Sequence, residues 1–485
     1  MTKEEIFEKL LNSDNTHIKE ILAENPSTLP EILTKLSQDK NVIVRAGVAD
    51  NPKTPVDILA KLADDEEEWV RNWIAKNPNT SIETLSKLAE DKNWRVREFV
   101  TYNPNIPKDL LVKLSKDDAY AVRREVAKNL KTPADILEKL ANDYDKYVRL
   151  NVAKNPNANA NALNKLSQDK NDEIREETAQ NPNATDEILE RLSKDNNIRV
   201  RMGVALNKNT PPHILTKLSQ DEDWHVKAIA SYNPKTPINM LERLADEDAD
   251  KVRRGVAKNP NIPANVIEKL LKDKDLDVKR NIVSNPHTPS EIIIKLANNK
   301  DNWIREEVAS NKNTPANILE KLSENENEFV RQRVAGNPSI PNEVLKKLAD
   351  DDKLFVRQAV VRSPKVTQHL LDKLSQDEDW EIRATVAENL NTPANILERL
   401  SNDKGCEVRR SVALNPNTSS ETLAKLSQEK YYLIKVAVAQ NPNATIDTLD
   451  NLINSNNMDI IKAVAKNPNI GNAQPQQKRS VSPSI

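Results

Sequence analysis

The sequence predicts an all-α fold in which pairs of short helices stack as an α-solenoid of about 18 repeats. Two observations support this prediction: a sequence pattern that repeats at a fixed interval along nearly the whole chain, and a composition poor in aromatic residues and glycine. Aromatic residues make up 4% of the 485 residues and glycine only 6 positions, whereas Lys, Arg, Asp and Glu make up 30%. A single compact core of this length usually contains more large rings and more turn glycines.

An asparagine marks the period. It recurs every 26 residues from Asn25 to Asn467, with Ser363 as the one substitution. Numbering from this residue, position 12 is leucine and position 20 is valine or isoleucine in all 17 repeats between residues 25 and 466. A constant period of this length predicts an array in which neighbouring units bury each other's apolar faces.

Each period contains the patterns of two helices. The first is expected to begin at a Thr-Pro pair such as Thr54 and Pro55, with threonine as the cap and proline in the first helical turn. An aspartate at position 15, such as Asp39, is predicted to cap the second helix. That helix ends at Asn-Pro, since proline disfavours helical geometry in the residue before it. Asparagine tolerates the left-handed region and bonds to backbone, so few glycines are needed.

The two ends of the chain differ from the repeats. Residues 1–24 fit the same pattern, with Ile6, Leu10 and Leu22 at apolar positions, and are predicted to form an N-terminal capping helix pair. Residues 25–466 form the seventeen repeats, and residues 467–485, rich in Gln, Ser and Pro, are predicted to be a disordered tail. The last repeat has Ile461 where arginine is usual. We expect this end to be covered by the tail or by end-to-end self-association.

The phrase VRRGVAKNPNIPANVIEKLLKD, from Val252 to Asp273, resembles the leucine-rich repeat variant family, and its pattern recurs in all 17 repeats. The resemblance implies a right-handed solenoid with two layers of short helices, similar to HEAT-type repeats, and an interaction scaffold without a named ligand. The spacing of Asp91 and Arg97 also resembles the HEAT pattern. This period is longer than the family's usual one, which predicts an α-helical rather than 3₁₀ second helix. A family member carries an iron–sulfur module, which the single cysteine, Cys406, does not allow here.

Charge is balanced along the chain. Lys+Arg 72 against Asp+Glu 74 gives a net charge of −2, so no global field attracts nucleic acid or an anionic membrane. Position 21 is arginine in 13 of 17 repeats, including Arg45 and Arg97. These arginines could form a basic stripe for phosphates, but we interpret them as an internal ladder with the aspartates of their own or the next repeat.

Chemistry-bearing motifs do not stand out. The five histidines, among them His213 and His225, show no metal-ligand spacing, and no nucleophile elbow or glycine-rich phosphate loop occurs. The opening segment lacks the pattern of a signal peptide, and no run approaches 18 apolar residues. We therefore expect a cytoplasmic, non-enzymatic protein without metal or cofactor and without a membrane span.

The variable positions of the second helix, 18, 19, 22, 23 and 26, are the candidate binding surface. In HEAT-like solenoids this helix usually lines the concave face. Exposed aromatic residues there indicate an interface, although aromatic side chains can also fill packing gaps. Phe99 is expected beside Trp73, and these two residues with Trp69, Trp94 and Tyr102 are expected to form one apolar patch near the N-terminal end. The candidate partner-binding residues are Trp69, Trp73, Trp94, Phe99, Tyr102, Met202, Trp224, Ile229 and Tyr232.

The sequence therefore predicts a scaffold that binds protein or peptide through its concave face. The alternative is nucleic-acid binding through a basic concave groove, which would make binding steeply dependent on salt.

Overall fold

A computed structural model describes residues 3–11, 16–455 and 457–470. Within these residues the chain contains 36 α-helices and a short 3₁₀ helix, Pro468–Ile470. Helices with odd numbers are the first helices of the repeats, and helices with even numbers are the second.

In the first half of the chain the helices are α1 (Lys3–Leu11), α2 (Thr16–Glu24), α3 (Pro30–Leu36), α4 (Val42–Asp50), α5 (Val56–Leu62), α6 (Glu68–Lys76), α7 (Ile82–Leu88), α8 (Trp94–Val100), α9 (Lys108–Leu114), α10 (Tyr120–Lys128), α11 (Ala134–Leu140), α12 (Lys146–Lys154), α13 (Ala160–Leu166), α14 (Asp172–Gln180), α15 (Asp186–Leu192), α16 (Ile198–Leu206), α17 (Pro212–Leu218) and α18 (Trp224–Tyr232). In the second half they are α19 (Ile238–Leu244), α20 (Asp250–Lys258), α21 (Ala264–Leu270), α22 (Leu276–Ser284), α23 (Ser290–Leu296), α24 (Asn302–Ser310), α25 (Ala316–Leu322), α26 (Glu328–Gly336), α27 (Asn342–Leu348), α28 (Leu354–Val361), α29 (Gln368–Leu374), α30 (Trp380–Glu388), α31 (Ala394–Leu400), α32 (Cys406–Leu414), α33 (Ser420–Leu426), α34 (Tyr432–Gln440), α35 (Ile446–Ile453) and α36 (Met458–Lys466).

The predicted all-α solenoid fold is confirmed, and the second helices are α-helical as expected. First helices such as α21 have 7 residues and second helices such as α20 have 9. Helices this short are marginal in isolation, so packing between helices has to stabilise them. The handedness of the superhelix stays a prediction.

The chain divides into two compact units. The terminal unit comprises the described residues of 1–90, 103–105 and 371–485, and the central unit comprises residues 91–102 and 106–370. Because each unit is compact by itself, the expectation that residues 25–466 form one continuous array stays a prediction.

Consecutive repeats share one core in the central unit. In the central unit, a buried cluster combines Leu244 of one repeat with Val252, Val256 and Leu270, and continues to Val278 of the next second helix. These are the leucine and valine positions that are constant in the sequence. Each repeat therefore completes the core of its neighbour.

The asparagine at position 1 joins successive repeats by its side chain. Asn259 Nδ2 donates to the carbonyl oxygen of Asn233, at 2.9 Å, which begins the preceding repeat, and to that of Ser231, at 2.8 Å, near the end of the repeat before it. Its Oδ1 accepts from the backbone N–H of Asn261 at 2.8 Å, and the residue is 0% exposed. The same pattern recurs along the chain, for example at Asn51. We call this series the asparagine ladder.

The asparagine ladder contradicts one of the two reasons expected for asparagine at position 1, its tolerance of the left-handed conformation. Asn259 has extended backbone angles, φ −65° and ψ 129°, and no non-glycine residue in the described part of the chain has positive φ. The expected bonding to backbone is confirmed, but the left-handed conformation is wrong. Asparagine is needed because one planar amide satisfies two carbonyls and one N–H of otherwise buried backbone.

The side chains predicted to cap the helices, Thr54 and Asp39, bond to other groups instead. Thr54 Oγ1 donates to the carbonyl of Val48, so it satisfies the end of the preceding second helix, while Pro55 occupies the N-cap of α5. The aspartate at position 15 is not the cap either: Asn41 Oδ1 accepts from Ile43 N and caps α4, while Asp39 accepts from the N–H of Asn41. These polar side chains therefore hold the turns between helices.

The arginines at position 21 form the predicted ladder. In the central unit, Arg123 Nε lies 2.6 Å from Asp143 Oδ2 and Nη2 lies 3.0 Å from Asp143 Oδ1, and both side chains are 7% exposed. Arg123 Nη1 also donates to the carbonyl of Asp117 at 2.8 Å. Each arginine therefore contacts the carboxylate of the next repeat and the backbone of its own. The same pairing occurs in both units, at Arg45, Arg97, Arg149, Arg175, Arg201, Arg253, Arg331 and Arg383.

The two ends of the chain contact each other within the terminal unit. Helix α2 packs against α36, and α1 contacts the 3₁₀ helix. Asn25 Nδ2 donates to the carbonyl of Ala465 at 2.7 Å, the bond that Asn51 makes to Ala23 one repeat later. Lys9 Nζ donates to Asn454 Oδ1 at 2.6 Å and lies 3.3 Å from Asp450 Oδ1. The first helix pair therefore follows the last repeat as one repeat follows another.

This contact covers the atypical last repeat. Ile460 is 2% exposed and Met458 is 37% exposed. The helix pair of α1 and α2 lies where the tail or a second copy was expected, and self-association through this repeat stays a prediction. Ile470, in the predicted tail, is buried, and residues 471–485 lie outside the described residues.

The asparagine ladder gives a stability prediction. Replacing Asn259 by Ala should lower the free energy of unfolding by about 2–4 kcal/mol, because buried backbone groups of two repeats lose their partners. Urea unfolding followed by circular dichroism measures this change. Asn261→Ala is the matched control, since Asn261 donates only to the exposed Pro234 carbonyl and should cost below about 1 kcal/mol. Equal losses in the two variants would contradict the role of the ladder.

The arginine ladder predicts an acid limit to stability. For Asp169 and Asp273, burial raises the pKa, but hydrogen bonds from Arg149 and Arg253 and from backbone N–H groups outweigh it, so the net pKa is lowered. The unfolded chain, with aspartate pKa about 3.9, then binds more protons at low pH. The stabilisation is present above about pH 4 and is lost as pH falls through the folded-state pKa. The urea concentration at the midpoint of unfolding should fall as the pH is lowered from 7 to 3. Asp273→Asn should make this fall smaller. The same pH dependence in the variant and the parent chain would contradict this account.

The contact of the chain ends can be measured directly. With Cys406 replaced by Ser, spin labels at His17→Cys and Lys466→Cys should lie within about 30 Å, since packed helix axes are about 8–10 Å apart. Removing the contacts with Lys9→Ala and Asn25→Ala should lengthen or broaden the distances seen by pulsed electron paramagnetic resonance. A long distance in the parent chain would contradict the contact.

Candidate functional site

Exposed aromatic residues recur at the beginning of the second helices. They occupy positions 18 and 19 of the repeat, where the constant frame requires no ring, and each is between 40% and 57% exposed. In the central unit they are Trp94, Tyr120, Tyr147, Trp224, Trp303, Phe329 and Phe355, and in the terminal unit Trp69, Trp380 and Tyr432. We call these residues the aromatic set.

The nine residues predicted as a binding site all reach solvent. Trp69, Trp94, Tyr102, Trp224 and Tyr232 are exposed, and Trp73, Phe99, Met202 and Ile229 are half-buried. Trp73 belongs to the terminal unit and Phe99 to the central unit. The expectation that they form one patch therefore stays a prediction.

In the terminal unit, Trp69 and Trp73 form one wall of a pocket of about 130 Å³. They are one turn apart on α6. The floor comes from Ala46 and Gly47 of α4, where a Cβ on Gly47 would lie 2.9 Å from the Cβ of Ala23. This glycine therefore allows α2 and α4 to approach closely. The remaining lining residues are Glu24, Val42, Ile43 and Asp50.

In the central unit, Tyr102 lies in a polar cluster rather than in an apolar patch. Its ring contacts Phe99 edge to face, with centroids 5.4 Å apart. Burial raises the pKa of Tyr102, and the charges of Glu125 and Glu98 raise it further. Arg124 bridges the two acids, with Nη2 3.1 Å from Glu98 Oε1 and Nε 3.0 Å from Glu125 Oε1. Burial also raises the pKa of Glu98. The Tyr102 hydroxyl therefore lies beside two carboxylates and a guanidinium group.

A second charged cluster of the central unit includes Arg254 and Arg280. Arg254 Nη2 lies 2.6 Å from Asp275 Oδ2, and Arg280 Nη2 lies 3.3 Å from Glu307 Oε1. The Arg280 guanidinium also stacks on Trp303, 3.8 Å from the ring centroid. Both arginines are therefore engaged by groups of the chain.

Sequence reasoning missed most of the aromatic set. Trp303, Phe329 and Phe355 occupy the same repeat position as Trp69, so comparing repeats column by column would have found them. The acidic lining residues Glu24 and Asp50 share position 26, the position that Tyr102 and Tyr232 occupy in other repeats.

The described part of the chain offers few sites for other chemistry. No group of three or more His, Cys, Asp or Glu residues there is arranged to hold a metal ion. No helix within it is long and apolar enough to cross a membrane.

Comparison with known proteins gives matches only among solved structures. No family model matches the chain, and no curated protein matches it. One similar structure is a leucine-rich repeat variant with a novel repetitive structural motif, with 24% identity, a TM-score of 0.37, and coverage of 46% of this chain and 87% of that one.

Two further similar structures are of importin-β. Yeast importin-β, Kap95p, has 13% identity, a TM-score of 0.31, and coverage of 95% of this chain and 72% of that one. Kap95p in a study of its binding to RanGDP has 11% identity, a TM-score of 0.31, and coverage of 96% and 72%. With TM-scores this low, the similarities do not indicate what this chain binds.

Proposed function

We propose that this chain is a non-enzymatic, cytoplasmic repeat scaffold that binds protein or peptide partners through the surface of its second helices. The observation that carries the proposal is the aromatic set: large rings recur at two positions of the second helix and stay accessible. Exposed aromatic residues combine a large apolar area with few rotatable bonds, which is typical of interface residues that contribute most to affinity.

Packing supports the concave side as the binding surface. Successive second helices, such as α18 and α20, pack closely, whereas successive first helices contact each other little. An array bends toward its more closely packed layer. The second helices would then line the concave side within each unit.

The charges on the second helices favour protein over nucleic acid. The arginines of the ladder pair with aspartates, and Arg254 and Arg280 pair with neighbouring acids. These guanidinium groups are already engaged, whereas a phosphate backbone needs many available cations. A mixed surface of rings and paired charges suits polypeptide ligands.

Variants of the aromatic set, and of the exposed Tyr232 on the second helix α18, test the proposal. Partners retained by the immobilised chain should be lost, by about tenfold or more in affinity, when Phe329 and Phe355 or Trp224 and Tyr232 are replaced by Ala, since truncating a ring at the centre of an interface typically costs more than 1 kcal/mol. The partners are identified by mass spectrometry and their affinities are then measured by calorimetry.

Ile238→Ala with Ile294→Ala is the matched control. These side chains are 55% and 40% exposed, but they lie on the first helices α19 and α23. Equal loss in the control and the test variants would exclude the second-helix surface as the site. Retention of nucleic acid alone, abolished by salt, would favour the alternative function.

A further inference from the structure

We infer that the pocket at Trp69 and Trp73 receives a lysine or arginine side chain of a partner polypeptide. This inference rests on the proposed function and specifies the ligand chemistry of one place on that surface. The pocket lies between three consecutive second helices, α2, α4 and α6. We call it the tryptophan pocket.

The size of the tryptophan pocket suits a single side chain. Its volume is about 130 Å³, whereas pockets for drug-sized ligands or cofactors usually exceed about 300 Å³. Ala46, Val42 and Ile43 make its floor apolar. The aliphatic stem of a long side chain can therefore bury against them while its polar end stays near the rim.

The rings of the tryptophan pocket favour a cation. Indole is the aromatic side chain that attracts cations most strongly through its negative face. The Trp73 ring already has one ammonium group above it, since Lys76 Nζ lies 4.8 Å from its centroid. Lys76 does not line the pocket, so this contact does not occupy the cavity.

The acidic residues of the tryptophan pocket also favour a positively charged ligand group. Glu24 and Asp50 both line it, and both are exposed. Neither forms an ion pair with another residue in the described part of the chain. Many acids elsewhere are paired with a lysine or arginine, as Asp65 is with Arg45. A basic side chain that enters the pocket and lies against the indoles could complete the same pairing with Glu24 or Asp50.

The probe is a nine-residue Gly-Ser peptide with one central arginine, compared with the peptide in which citrulline replaces arginine. Citrulline keeps the shape and removes the charge. A lysine peptide and its norleucine analogue form a second pair. The chain has six tryptophans, so ¹⁵N-labelled indole signals of Trp94, Trp224, Trp303 and Trp380 serve as internal controls in the same spectrum.

We expect the arginine and lysine peptides to shift the indole signals of Trp69 and Trp73 and to leave the other four unchanged. The uncharged analogues should bind about tenfold more weakly, since both cation–π and ionic contacts are lost. Glu24→Gln with Asp50→Asn should weaken the basic peptides by a smaller factor, about two- to fivefold, because only the ionic contact is lost and the cation–π contact remains. Glu83 is an exposed acid on the first helix α7, so Glu83→Gln should have no effect. All three acids are exposed, so these variants leave the core intact.

Two outcomes would overturn the inference: equal binding of charged and uncharged peptides, or shifts spread over all six indoles. Neither outcome affects the proposed function, which depends on the central-unit variants. Conversely, binding by the tryptophan pocket together with unaffected partners in those variants would exclude the central-unit rings from partner binding and leave the inference about the pocket standing.

Discussion

The buried side-chain amide that joins each repeat to the one before it is the interaction on which the architecture depends. Helices of 7 to 9 residues leave many unpaired carbonyl groups at their ends, and the Asn-Pro turn places these groups inside the protein. In the asparagine ladder one side chain satisfies groups of two repeats at once, as at Asn259. Because the amide bridges a fixed distance, it sets the spacing of repeats as well as satisfying them. The contact of Asn25 with Ala465 shows that the geometry does not require a covalent link between neighbours.

The sequence was sufficient to predict the structural elements that depend on residues close together in the chain. Leucine at position 12 and valine at position 20 recur with helical spacing, so the helix pairs and their buried faces could be predicted. Thr54 and Asp39 were given the wrong partners, because a hydroxyl or carboxylate beside a helix start can equally bond the helix or turn before it. The contact between α2 and α36 was missed because it joins residues about 440 positions apart, and no local pattern encodes it.

The candidate surface illustrates the same limit. Single aromatic residues such as Trp69 and Trp224 could be singled out, but their exposure could not be derived from spacing alone. Tyr102 was expected in an apolar patch, whereas the structure surrounds its hydroxyl with Glu98, Arg124 and Glu125. The sequence positions of a ring and a carboxylate on neighbouring helices do not show whether the two side chains are in contact. Only the distance between helices decides whether they make an interface, a pocket or an internal cluster.

The contact between the first and last helix pairs constrains how this protein can change in evolution. Linear repeat arrays gain or lose repeats readily, because only the two end repeats lack a neighbour on one side and each end tolerates a new neighbour. Here Asn25 and Lys9 bind residues of the last repeat. After duplication or deletion of a 26-residue segment, the last repeat would still have to lie within hydrogen-bond distance of these two side chains. Gain or loss of a repeat would therefore be selected against unless that contact were rebuilt. Substitutions at exposed positions of the second helices other than α2 and α36 carry no such restriction.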